Sequence, residues 1–208
     1  MKLLKGDCLE LMKDIPDKSI DMILCDLPYG TTACKWDTII PFEPLWEQYN
    51  RIIKDNGAIV LFGSEPFSTK LRSSNLKMYK YDWIWKKTRS AGFVHAKNRP
   101  LKKHENISVF SKGSMGHLST LGDKRMRYNP QDLIYKRTEH KNATKKFGNI
   151  VGKRPSHKDK YVSEYTNYPS SILEYSNDSG FHPTQKPVAL LEYLIKTYTN
   201  EGDVVLDN

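Results

Sequence analysis

The most specific local feature of the sequence is Asp26-Leu27-Pro28-Tyr29-Gly30, set directly after an apolar run that ends at Cys25. Ligands of an α/β sheet bind beyond the carboxyl ends of its strands. A carboxylate, a proline-restricted backbone and an aromatic ring at such a point therefore form a candidate site. Taken alone, the five residues describe a turn capped by Asp26. Three companions alter that: Gly6-Asp7-Cys8-Leu9-Glu10 upstream, His182-Pro183-Thr184-Gln185-Lys186-Pro187 downstream before a helical pattern, and Val204-Val205-Leu206-Asp207-Asn208 after it. Cys8, Cys25 and Cys34 have neither CxxC spacing nor a partnered histidine pattern, so they read as buried free thiols and not as a zinc site or a disulfide framework.

The elements that must position these residues alternate. Residues 19–25 and 57–63 are apolar runs of strand length, and 81–85 alternates strictly. Helical spacing runs over 44–54 through Leu45, Tyr49, Ile52 and Ile53, and a second helix is predicted over about 65–75. Strands separated by helices predict a parallel, doubly wound sheet. Asn106 to Phe110 reads as a further strand, Pro187 to about Thr199 as a helix with Leu190, Leu191, Leu194 and Ile195 on its apolar face, and Asp203 to Asp207 as a last strand. Trp83 and Trp85 read as one core and one partly exposed strand position. The expected division is a first catalytic part over 1–110, a basic insert of loops and short elements over 111–180, and a return segment over 181–208.

The charge is uneven. The 208 residues carry a formal net charge of +9, but Lys86 to Lys160 hold 20 Lys and Arg against 5 Asp and Glu, while the rest hold 13 against 19. An acidic body with a basic insert is the electrostatic footprint of a polyanion partner. No apolar run approaches the roughly 18 residues that span a bilayer. The start, Met1 to Asp7, is too charged for a signal peptide, so a cytoplasmic chain with no membrane partner is expected.

In type and order these residues resemble the β-class amino-methyltransferases of DNA, which methylate the exocyclic nitrogen of adenine or cytosine with S-adenosylmethionine. That family runs from a catalytic Asp-Pro-Pro-Tyr element through a target-recognition region to a His-Pro-Thr-x-Lys-Pro element and a strand leading into a glycine-rich cofactor loop. The resemblance implies a Rossmann-like methyltransferase fold, circularly permuted. It places next a Phe-x-Gly-x-Gly-Thr loop, which the 208 residues do not include, so the expected fold lacks its C-terminal part.

The resemblance also implies roles. Asp26 and the Leu27 carbonyl would accept both hydrogens of a flipped adenine amine, with Pro28 shaping the loop and Tyr29 stacking on the base. Leu27 stands where the family usually has proline. The leading Asp, where cytosine enzymes often carry Ser, points to adenine N6. Asp7 would hold the adenine end of the cofactor and His182, Thr184 and Lys186 its methionine end, with Asp26 and Asp207 beside it. Lys86, Lys87, Arg89, Lys97, Arg99, Lys102, Lys103, Arg125 and Arg127 would contact double-stranded DNA. No metal is required. The function expected is a site-specific DNA (adenine-N6) methyltransferase of restriction-modification or orphan type. The alternatives are a silent or split remnant that binds DNA and works with a second copy or with a complementing chain carrying the glycine loop, and an N4-cytosine or RNA methyltransferase.

Overall fold

The computed structural model describes residues 1–116, 121–141, 160–177 and 185–208. They divide into two compact units, one of residues 1–129 and 171–208, the other of residues 130–170.

The first unit is built on a six-stranded sheet of β1 (Ile20–Cys25), β2 (Ile53–Gly63), β3 (Tyr79–Ala91), β4 (Lys102–Phe110), β7 (Ile172–Tyr175) and β8 (Val205–Leu206). Its order is β7-β3-β4-β2-β1-β8. All six residues of β1 are buried, which is what a strand covered on both faces requires. Strand alternation divides the side chains between two cores. Ile23, Cys25, Ile59, Leu61 and Phe110 face one way, against α1 (Cys8–Met12), α2 (Phe42–Ile52) and α3 (Phe67–Ser74) through Met12, Leu45, Trp46, Tyr49, Phe67 and Leu71. Met22, Leu24, Val60, Phe62, Ile107 and Val109 face the other way, against Leu190, Leu194 and Tyr198 of α4 (Val188–Tyr198). Full burial of one such aliphatic side chain contributes about 1.5–3 kcal/mol.

Helices on both faces match the doubly wound expectation, but the sheet is mixed. β1 pairs in parallel with β2 and β8, whereas β4 runs antiparallel to both β2 and β3. The reason is local: only a three-residue 3₁₀ turn lies between β3 and β4, and a parallel return needs a crossover of a dozen residues or more. Trp83 and Trp85 are both buried, at 3% and 2% exposure, because residues two apart on β3 share the same face. That corrects the expected core-and-surface split. The last strand is also shorter than expected. Of the three cysteines, only Cys25 is buried; Cys8 is half-buried and Cys34 exposed.

Residues 111–129 and β7 belong to the sheet unit, not to the insert as bounded from the sequence. Ser111 Oγ donates to the Gly57 carbonyl at 2.6 Å, Met126 enters the core, and β7 pairs with β3. The second unit is an antiparallel pair, β5 (Ile134–Lys141) and β6 (Lys160–Thr166), with His140 stacked on Tyr161 at 4.7 Å. No helix among the described residues is long and apolar enough to cross a membrane.

Candidate active site

β1 ends at Cys25, and the chain turns at once into Asp26. Leu27 points into the core at 3% exposure, so the side chain that replaces the family's proline is an apolar anchor for the loop. Tyr29 stacks on Phe67 of α3, with ring centroids 5.0 Å apart and planes at 24°. Its hydroxyl donates to Asp26 Oδ1 at 2.6 Å. Burial, and after it the Asp26 and Glu105 carboxylates, push the phenol well above the usual tyrosine range, so Tyr29 stays a donor.

A residue not foreseen from the sequence fixes the following turn. The buried carboxylate of Asp37 accepts the N–H groups of Gly30 at 2.8 Å, Thr31 at 2.9 Å and Thr32 at 2.7 Å. Burial would raise the Asp37 pKa, but the Thr32 hydroxyl and these three N–H groups outweigh it and hold the group down to about 2. Gly30 has φ +66°, and a Cβ there would meet Ile39 Cγ1 at 2.9 Å, so both the conformation and the space demand glycine.

Three charged side chains from distant elements close the site. Lys186, just ahead of α4, donates to Asp26 Oδ2 and lies 3.6 Å from Glu105 Oε2. Lys87 of β3 donates to Glu105 Oε1 and covers the Trp85 ring at 4.6 Å. Glu105 of β4 is 12% exposed at its side chain, and its Oε2 has no hydrogen-bond partner among the described residues. Together with the 26–29 segment, Thr31, Thr32, Trp36 and Asp37, these residues line a cavity of about 360 Å³. Trp36 is 61% exposed. Asp37 and Trp36 lacked any motif or periodicity that could have singled them out; only their being a Trp-Asp pair shortly after Tyr29 hinted at them.

The cavity gathers Asp26, Leu27, Pro28, Tyr29, Lys87 and Lys186 of the expected site. Asp207 follows β8, which runs parallel to β1; burial raises its pKa, and the nearby Asp26 carboxylate adds to the rise. Asp7 does not line the cavity and caps α1, accepting the Leu9 N–H at 2.8 Å. His182 and Thr184 lie outside the described residues.

Among the expected DNA contacts, Arg89, Lys97, Arg99, Lys102 and Lys103 are exposed, although Lys102 also donates to Ser64 Oγ and burial lowers its pKa. Lys86 pairs with Glu174 at 2.8 Å. Arg125 is half-buried, and its N–H donates to the Gly122 carbonyl at 3.1 Å. Two of the nine need correction. Lys87 is turned into the cavity at 15% side-chain exposure, so it serves the site wall and not a phosphate. Arg127 pairs with Asp203 and lies 3.6 Å from the buried Asp21. Asp21 lies near the start of β1 whereas Asp26 follows its end, so Arg127 sits at the opposite end of that strand and ties the turn before β8 to β1.

A mixed sheet covered by helices on both faces, with an acid and a stacked tyrosine just past the carboxyl end of β1, is an α/β architecture with its candidate site at a strand end. The chain belongs to the N6/N4 DNA methylase family, whose model matches residues 20–208. It is 28% identical to the type II methyltransferase M.HpaI of Haemophilus parainfluenzae, aligned over 99% of this chain and 62% of that protein. To M1.MboII of Moraxella bovis it is 27% identical, over 99% and 82% respectively. The chain thus spans less than two thirds of M.HpaI. Its fold is shared with the cytosine-N4-specific PvuII DNA methyltransferase at a TM-score of 0.63 and 15% identity, over 97% of this chain and 71% of that one. The M1.HpyAVI–SAM complex matches at a TM-score of 0.56 and 19% identity, over 98% and 80%.

Proposed function

We propose that this protein transfers a methyl group from S-adenosylmethionine to the exocyclic N6 of an adenine extruded from duplex DNA, as the modification enzyme of a type II restriction-modification pair. The observation that carries the proposal is the Asp26 carboxylate at the end of β1, braced by the Tyr29 hydroxyl and the Lys186 ammonium at the wall of the cavity.

The residues present fit the cofactor. Asp26, Asp37 and Glu105 give the cavity three carboxylates, and the buried Glu105 Oε2 lacks a hydrogen-bond partner among the described residues. Against them stand the Lys87 and Lys186 ammoniums, so the wall keeps one negative charge in excess, which suits a cationic sulfonium. Lys186, with His182 and Thr184, would hold the methionine carboxylate, Asp7 the adenine end, and Asp207 would stand beside Asp26. When bound, the cofactor supplies an electrophilic methyl group.

The protein's own part is to make a poor nucleophile competent. An adenine amine delocalises its lone pair into the ring, and that delocalisation weakens when both hydrogens are held by acceptors that favour a pyramidal nitrogen. Asp26 is one acceptor and the Leu27 main-chain carbonyl the other. Tyr29, locked by Phe67, offers the base a fixed stacking partner, and the loop pinned by Asp37 keeps these groups in place without reorganisation. The proton released from the amine passes to Asp26 and on to solvent. The β5–β6 unit, residues 130–170, serves as the target-recognition module.

The test is incubation with unmethylated duplex DNA and labelled S-adenosylmethionine, followed by nucleoside digestion and mass spectrometry. N6-methyladenine that disappears with Asp26→Ala is the expected result. N4-methylcytosine instead would reassign the base, and no methylated nucleoside would remove the proposal.

A further inference from the structure

Between Lys86 and His104 the sequence holds seven Lys or Arg and no Asp or Glu. This stretch is the arm joining β3 to β4, and its tip is apolar: Phe93 is 70% and Val94 92% exposed. Exposed Arg89, Lys97, Arg99 and Lys103 flank them in the sequence. Gly92 takes φ +90°, and a Cβ there would meet nothing within 4 Å. It is the left-handed conformation, not crowding, that calls for glycine, and this turn sends Phe93 and Val94 outward in a short 3₁₀ turn.

The ladder also sets how far from the site the arm leaves the sheet. Lys86 pairs with His104 and Ala91 with Lys102, so β3 spends five residues where β4 spends two, and the surplus bulges out of β3. Glu105, in the cavity wall, is therefore only three residues from the end of the ladder, about 10 Å at roughly 3.3 Å per residue. A basic arm bearing an apolar tip thus leaves the sheet three residues from the wall of a cavity of about 360 Å³.

We propose that Phe93 and Val94 form a wedge that enters the base stack of duplex DNA next to the target nucleotide, while Arg89, Lys97, Arg99 and Lys103 hold the flanking phosphates. This rests on the DNA-methyltransferase proposal and adds to it the element that opens the duplex. Apolar side chains inserted between base steps unstack and kink DNA. An extruded base leaves a gap that such side chains fill, and flipping is easiest where the stack is already broken. The charge complementarity selects DNA as occupant: a purely apolar protein contact would gain nothing from the four exposed cations Arg89, Lys97, Arg99 and Lys103.

The experiment needs neither a known recognition sequence nor methyl transfer. A nicked plasmid is ligated with and without the protein, and the linking-number change per bound protein is read alongside affinity from mobility shift. A wedge unwinds the duplex, so the parent shifts the linking number. The Phe93→Ser/Val94→Ser double variant, altered only at exposed positions, should keep affinity within threefold and lose more than half of the shift. Phe93→Leu should retain it, and Arg99→Ala/Lys103→Ala should lower affinity while keeping the shift per bound protein. An unchanged shift in the serine variant, or a parent that binds duplex without any shift, overturns the wedge and leaves the methyltransferase proposal standing. A parent that binds no duplex overturns both.

Discussion

The Lys186 ammonium is hydrogen-bonded to the Asp26 carboxylate although 160 residues separate them in the sequence. The same ammonium stands 3.6 Å from Glu105, so one cation lies between two acids of the cavity wall. Lys186→Met removes that charge. Asp26 and Glu105 then face each other with Lys87 as the remaining cation in contact with Glu105, and the loss should cost about 1–3 kcal/mol of stability together with at least tenfold in methyl transfer. Denaturant melts and initial rates check both effects; a variant that keeps its rate would show Lys186 to be dispensable.

Asp26→Ala should abolish methyl transfer while duplex affinity stays within a few-fold of the parent. On the proposed mechanism Asp26 would accept from the target amine, whereas the exposed basic arm would hold the backbone. Parallel transfer and mobility-shift assays separate the two, and methylation that survives the change would move the acceptor role elsewhere.

Asp37 holds three backbone N–H groups. Bonds to a charged acceptor are worth about 1.5–3 kcal/mol each, so Asp37→Ala should destabilise by about 2–4 kcal/mol after relaxation. The pH dependence has a definite sign. The folded-state pKa of about 2 lies below the ordinary 3.8, so this stabilisation is complete above the unfolded value and is lost as pH falls towards 2. The gap in urea midpoint between parent and Asp37→Asn should be constant above about pH 5 and close at lower pH.

Arg127 is engaged by Asp203 and the buried Asp21. Arg127→Ala should therefore reduce stability by about 1–3 kcal/mol and leave duplex affinity within twofold. Weaker DNA binding without loss of stability would return Arg127 to the DNA contacts.

Salt should weaken duplex binding steeply, with a log–log slope of about −0.9 for each phosphate neutralised. Arg99→Ala/Lys103→Ala should make that slope shallower by about 1.8 if each side chain neutralises one phosphate. A salt series on both proteins measures it, and an unchanged slope would place neither residue on the backbone.

Much of this was legible in the chain itself. The apolar run before Asp26, the helical spacing around Leu45 and Tyr49, and the order of the Asp26–Tyr29 and Lys186 elements determined a sheet with helices on both faces, the family resemblance, and the acid at a strand end. These are local properties: periodicity and turn chemistry act over a few residues. Tertiary structure decided what depends on partners distant in sequence. It buried both Trp83 and Trp85 and drew Lys87 inward to Glu105. It set Arg127 at the wrong end of β1 for the site, and it placed Lys186 against Asp26. Whether a lysine meets a phosphate or a carboxylate is not written in its own neighbourhood, because the opposing charge arrives on another strand. Asp37 shows the same limit at short range, since an isolated acid in an aperiodic loop becomes an organiser only when the chain folds back and presents three N–H groups to it.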